Sequence, residues 1–201
     1  MLKSLVLGAV LGGLTAFLWS FISWDLLPWH EKQLHSFQNE DEVLAIIASH
    51  APRSGNYLLP TGPSEEGLTA DQKKAAQEIR MQKMQKGPLM FAAIRKEGFG
   101  SFPKTLITQV LYQMLAALLL TWMLLQTTGL SYARRVAFLA VAGLAASVIA
   151  DLPNWNWWGN SAGYTAVNLI DYTLTWLLAG LVIAKVAKPR TPLSSSRVAS
   201  R

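Results

Sequence analysis

Asp171 is the residue whose setting most demands a chemical explanation. It lies in the apolar stretch 164–187, with Tyr164, Asn168 and Thr175 at steps of four, three and four residues, so all four share one helical face. A carboxylate about two turns inside a membrane helix costs a few kcal/mol unless it is protonated, paired or hydrated. The stretch 104–126 carries a matching set: Thr105, Thr108, Gln109, Tyr112 and Gln113. Together they read as one intramembrane polar cluster. It is either a hydrogen-bond knot that fixes helix register or a proton or substrate site. The only basic residue along the same helix is Lys185, at the far end, so the partners of Asp171 must be neutral groups or come from other segments.

Other chemistries lack their residues. The chain has no cysteine, which removes disulfides, thiolate metal sites, iron–sulfur clusters and cysteine nucleophiles. Its three histidines are His30, His35 and His50. His30 and His35 are five apart, whereas the zinc-protease helix needs histidines four apart. They read as a polar collar above the membrane, with no metal bound. No histidine falls within a span, which argues against a bis-histidine haem. There is no Gly-x-Ser-x-Gly elbow for a serine triad, no phosphate-cradling glycine loop and no dinucleotide fingerprint. The expectation is therefore no catalytic set and no cofactor. Gly8 and Gly12 are four apart and continue through Ala16 and Ser20 as a helix-packing ridge. Gly143 and Ser147 repeat the theme, and make the third span the expected most enclosed helix.

The elements that must position these groups follow from composition. The 201 residues (22.1 kDa) are 51% hydrophobic and only 15% charged, well under the roughly 25% charged of a soluble domain. Four stretches approach the roughly 20 apolar residues a bilayer requires. The division predicted is 1–27 for the first helix, 28–103 for a domain outside the membrane, and 104–126 for the second helix. A 127–131 link, a third helix at 132–152, a Trp-rich link at 153–163, a fourth helix at 164–187 and a disordered basic tail at 188–201 complete it. The first span has a basic start at Lys3 but too long an apolar core and no small-x-small cleavage site, so it reads as an uncleaved signal anchor.

Charge fixes the expected orientation. Lys3, Arg134, Arg135, Lys185 and the tail together hold eight basic residues and no acidic one, whereas 25–104 holds ten of each. The positive-inside rule then places both termini and the 127–131 link in the cytoplasm and 28–103 outside. The net charge of +6 and pI of 9.7 thus report topology. A nucleic-acid surface would need a clustered basic face with interleaved aromatics, which is not present. Trp24, Trp29, Trp155, Trp157 and Trp158 read as headgroup-level anchors in the bilayer.

Residues 28–103 carry their own patterning. Asn39 precedes the acidic first turn Glu40-Asp41-Glu42 of a helix to about Ser49. Tyr57–Leu59 and Leu89–Ile94 read as short strands, and Thr69 with Gln72 as the capping box of a helix ending at Gly87-Pro88. The expected fold is a membrane all-α bundle of four transmembrane helices. A small extracytoplasmic α+β insertion lies between spans one and two.

The segments Ser23-Trp24-Asp25-Leu26-Leu27-Pro28-Trp29-His30 and Ser54-Gly55-Asn56-Tyr57-Leu58-Leu59-Pro60 give the first 60 residues a resemblance. They resemble uncharacterised bacterial membrane proteins with one span, an outer segment and further spans. The resemblance implies a bacterial inner membrane and no particular activity. The functional expectation is a non-enzymatic accessory or scaffold subunit whose outer domain binds a protein or envelope component, or a second copy of the chain. The alternatives are a small proton-coupled carrier using Asp171, working as an oligomer, and a membrane-embedded lipid-modifying enzyme, which the lack of a catalytic cluster disfavours.

Overall fold

The computed structural model describes residues 1–187; the tail at 188–201 lies outside the described residues. The described residues are 71% helical. Its elements are α1 (Leu2–Leu26), α2 (Glu40–His50), β1 (Gly55–Leu59), α3 (Ala70–Lys86), β2 (Met90–Ile94), α4 (Phe102–Leu125), α5 (Tyr132–Trp158) and α6 (Ala162–Val186). Helices α1, α4, α5 and α6 are each long and apolar enough to cross a membrane.

The chain divides into two compact units. The first comprises Met1–Leu34, Ser101–Leu152 and the chain from Ala162 onward. The second comprises His35–Gly100 with Pro153–Ser161. This division departs from the sequence reading at both edges. Residues 28–34 belong with the helices, and α5 runs on through Pro153 to Trp158, so most of the expected 153–163 link is helix.

In the first unit α6 is the central element. It buries nine residues against five for α5, so the fourth helix, and not the third, is the most enclosed. One side of α6 meets α1, where an added Cβ on Gly12 would lie 2.6 Å from Ile183. The other side meets α5: Gly143 lies under Trp176, and Gly180 faces Leu139. Lipid gives no hydrophobic drive between helices, so close approach along small residues has to supply the packing. Ala16, Ala117 and Ala179 are fully buried for that reason, in one cluster with Leu124, Leu139, Trp176 and Ile183. Gly8 abuts Thr121, and Gly13 makes the tightest backbone approach, against Met114 of α4. Ser147 does more than pack, as described below.

Two stretches of α1, Gly8–Gly12 and Ile22–Leu26, are π-helical. The second closes with the Leu27 N–H donating to the Ile22 carbonyl over five residues. Leu27 is extended (φ −96°, ψ 131°), as steric conflict with Pro28 requires of the residue before it. The chain then makes a short 3₁₀ turn at Glu31–Gln33. Widened turn, proline break and 3₁₀ turn together fold residues 28–33 back within the first unit.

The second unit is built from local signals. The Thr69–Gln72 capping box forms with both hydrogen bonds, and α3 ends at Gly87, whose φ of 71° suits glycine. Asn39 stands at the N-cap of α2, but its amide donates to the Glu42 carboxylate instead of its side chain accepting from the backbone. β1 and β2 pair antiparallel, Tyr57 opposite Ala92. Phe91 lies 5.0 Å from Trp158, centroid to centroid. Beyond the sheet, Ser54 Oγ accepts the Lys96 N–H (3.0 Å) and donates to the Glu97 carboxylate.

That Ser54 bond is the largest of several effects holding the Glu97 pKa below its usual value; its own backbone bond, Lys96 and Arg95 add to it. A carboxyl whose folded pKa is depressed contributes stability above its unfolded pKa and loses it as pH falls through the folded value. Ser54→Ala is expected to raise the Glu97 pKa toward the ordinary glutamate value, read by carboxyl-carbon NMR. An unchanged titration would assign the depression to its own backbone bond and the neighbouring cations.

Candidate functional site

The polar residues of the first unit gather around two buried aspartates, Asp171 and Asp151, in the half of the bundle where α1 ends and α6 begins. Asp171 sits on the buried face of α6 with Asn168 and Thr175, as their spacing requires. Thr175 Oγ1 donates to the Asp171 main-chain carbonyl (2.8 Å). The carboxylate itself reaches other elements. Trp19 Nε1–H donates to Oδ1 (2.7 Å), and His30 Nε2 lies 3.1 Å from Oδ2. The partners of Asp171 are thus a helix-α1 indole and an imidazole from the segment following it.

His30 is 1% exposed, which overturns its reading as part of a polar collar; His35 is exposed and takes no part. The ring is fixed on several sides. Trp24 stacks on it at 3.9 Å with planes 9° apart, and Trp29 meets it edge-on at 5.6 Å. Ser23 Oγ lies 3.2 Å from Nε2. Trp29 Nε1–H donates to the Ser23 carbonyl (2.9 Å) and hydroxyl (3.1 Å). Trp24 and Trp29 therefore have work beyond the interface anchoring expected of them. Trp155, Trp157 and Trp158 lie in the second unit and are all exposed.

Ser23, His30 and Asp171 contain the residue types of a hydrolytic triad, but not its geometry. A relay needs the acid on one ring nitrogen and the serine on the other. Here both oxygens face Nε2. Nδ1 is buried and has no hydrogen-bond partner among the described residues. The acid and the serine thus compete for one ring nitrogen. A buried N–H without an acceptor costs about 1–3 kcal/mol, which leaves Nδ1 bare in the neutral ring. The serine therefore faces no base.

The second aspartate emerges only from the structure. Asp151, one residue from the end of the expected 132–152 span, is 8% exposed. Ser147 donates to its Oδ2, and Asn168 Nδ2–H donates to its Oδ1 (3.1 Å). Asn168 thus ties α5 to α6. Tyr172 of α6 lies within electrostatic range of Asp151, Asp171, Tyr112 and Tyr164.

The expected pairing of the α4 polar set with the α6 set is not what forms. Gln113 donates to Ser20 of α1 (3.0 Å), and the Tyr112 hydroxyl donates to Gln109 on its own helix. Tyr112 is half exposed. Polar side chains in α4 thus serve its contact with α1. Among the described residues, no group of three or more His, Asp or Glu side chains has metal-binding geometry.

No family model, curated protein or solved structure matches the chain.

Proposed function

We propose that this chain is a multi-pass protein of the bacterial inner membrane, with both termini cytoplasmic and residues 28–103 outside. It performs no chemistry of its own and acts as an accessory subunit whose outer segment recognises a protein. The carrying observation is the exposed apolar surface of the second unit. Ala51 and Ala76 are its only buried residues, while Leu44, Ile46, Phe37, Met81 and Phe99 are exposed. Helix α2 buries no residue at all. A unit with so little core of its own gains from covering apolar side chains against a partner. The near balance of acidic and basic residues in 25–104 suits a protein surface better than a polyanion.

The test is co-purification in mild detergent from the native host. Wild type is expected to bring a stoichiometric protein partner, and Leu44→Glu with Ile46→Glu to insert and fold but lose it. Retention of the partner by the double variant would move the interface elsewhere, and a lone wild-type chain would remove this reading.

The orientation has its own test. A phosphatase active only outside the cytoplasm should be silent when fused after Arg201 and active when inserted near Gly62. The reverse pattern would overturn the topology, and activity at both places would mean an odd number of spans.

A second reading, a small proton-coupled carrier, is favoured by one observation: Asp171 is buried and its carboxylate meets a still more deeply buried imidazole. Intramembrane ionisable residues commonly mark ion and proton paths.

A further inference from the structure

We propose that Asp151, Tyr172 and Tyr112 line a side opening of the first unit that binds a lipophilic organic cation, a positively charged head on an apolar body. The inference goes beyond the accessory reading: it draws on neither the outer unit nor Asp171, and it is tested separately from both.

The opening shows in the exposure along α6. Positions 165, 168, 172, 176, 179 and 183 follow one another at steps of three or four and so share a face. Thr165, Asn168, Trp176, Ala179 and Ile183 are all buried, as suits the face turned into the bundle. Tyr172, in the middle of that row, is 48% exposed. A buried stripe interrupted at one ring marks a gap between the helices packed on it. Tyr112 of α4 is 50% exposed and lies within electrostatic range of Tyr172, so it borders the same gap. Helix α5 supplies the other border. Asn168, one turn from Tyr172, donates to the Asp151 carboxylate at 3.1 Å, and Tyr172 is within electrostatic range of that carboxylate too. The link at 126–131 is short and holds α4 and α5 together at one end. The gap lies toward the opposite end, where the two helices are free to diverge.

The chemistry of the lining selects a cation. Asp151 receives hydrogen bonds from Ser147 and Asn168, both neutral. Among the described residues the ion pair of this region joins His30 to Asp171, and no Lys, Arg or His pairs with Asp151. A carboxylate withdrawn from water is best stabilised by an opposite charge, and neutral donors meet only part of that need. Tyrosine adds two features that favour the same ligand: its ring face attracts a cation, and its hydroxyl oxygen accepts from an ammonium N–H. The gap opens on the flank of helices long and apolar enough to cross a membrane, so its ligand arrives through lipid. An inorganic cation does not partition into hydrocarbon, and an anion is repelled by the carboxylate. A cationic head on an apolar body satisfies both conditions. It has two sources, the ammonium headgroup of an aminolipid and a free hydrophobic amine.

The test uses the full chain in nanodiscs of digalactosyldiacylglycerol, a lipid without an ammonium group, titrated with radiolabelled tetraphenylphosphonium. Saturable binding above the level of empty nanodiscs is expected. Dodecyltrimethylammonium should displace the probe, and neutral dodecanol should not. Asp151→Asn keeps the size of the side chain and removes its charge, and should weaken binding about tenfold or more. Tyr172→Leu should weaken it about three- to fivefold, the share of one ring face. Asp25→Asn, which removes an exposed carboxylate outside the opening, should bind as wild type does. Absence of saturable binding, displacement by dodecanol, or full affinity in Asp151→Asn would each overturn the proposal. If Asp151→Asn fails to fold by circular dichroism, Tyr172→Leu decides in its place: weakened binding supports the site and unchanged binding overturns it. Phosphatidylethanolamine added to the same nanodiscs separates the two sources. Competition with the probe assigns the site to a lipid headgroup, and undiminished binding assigns it to a free hydrophobic cation.

Discussion

Asp171→Leu is expected to lower the stability of the detergent-solubilised protein by about 2–6 kcal/mol, because a part-buried indole N–H and a buried imidazole N–H lose their acceptor, at about 1–3 kcal/mol each. Trp19 Nε1–H has Oδ1 as its partner, and His30 Nε2–H has Oδ2. His30 cannot escape by moving its hydrogen, since Nδ1 faces no acceptor among the described residues. Asp171→Asn should cost less. Its carbonyl oxygen still accepts from Trp19, so one of the two donors keeps its acceptor. The expected order is wild type, asparagine, then leucine, in thermal unfolding followed by circular dichroism. Equal stability of leucine variant and wild type would show that the contacts of Asp171 add nothing net to the fold.

Gly13→Leu is the second large effect. An ideal Cβ at Gly13 would lie 2.6 Å from the Met114 Cα and 2.8 Å from its backbone nitrogen. A main chain cannot rotate away, so α1 and α4 must separate. Overpacking typically costs about 1–3 kcal/mol, and a rigid backbone obstacle puts this site at the upper end or above. Gly12 makes the instructive comparison. Its Cβ would meet the Ile183 side chain, 2.6 Å from Cγ1; that side chain is β-branched and fully buried, yet it yields more readily than a main chain. Gly13→Ala should therefore destabilise more than Gly12→Ala. The opposite order would mean that α1 rests against α4 less tightly than its glycine spacing indicates.

What the sequence revealed, and what it hid, divides by range. The Thr69–Gln72 capping box is a four-residue device, complete in local sequence, and it forms as read. The four long apolar helices are equally legible, because helix length against bilayer thickness is a property of each segment alone. The shared face of Asn168, Asp171 and Thr175 followed from helical spacing. The partner of Asp171 did not, since His30 stands 141 residues away and no periodicity connects them. Two irregularities bring it there, the π-turn at Ile22–Leu26 and the break at Pro28, and only the proline has a sequence signature. Trp19 and Ser23 are four apart on α1, a spacing legible in the sequence that names neither His30 nor Asp171 as their partner. Ser147 and Asp151, also four apart, share a helical face, but spacing alone does not show that the hydroxyl donates to the carboxylate.

The central claim is that residues 28–103 recognise a protein through exposed apolar side chains, foremost Leu44 of α2. Its most direct test is a photo-crosslinking amino acid at position 44, activated in intact membranes of the native host, beside a control probe at Lys73 on polar, exposed α3. A single discrete adduct from position 44, absent from position 73 and lost when Ile46→Glu is added, is the predicted result. Adducts only with lipid, or identical patterns from both positions, would contradict the account.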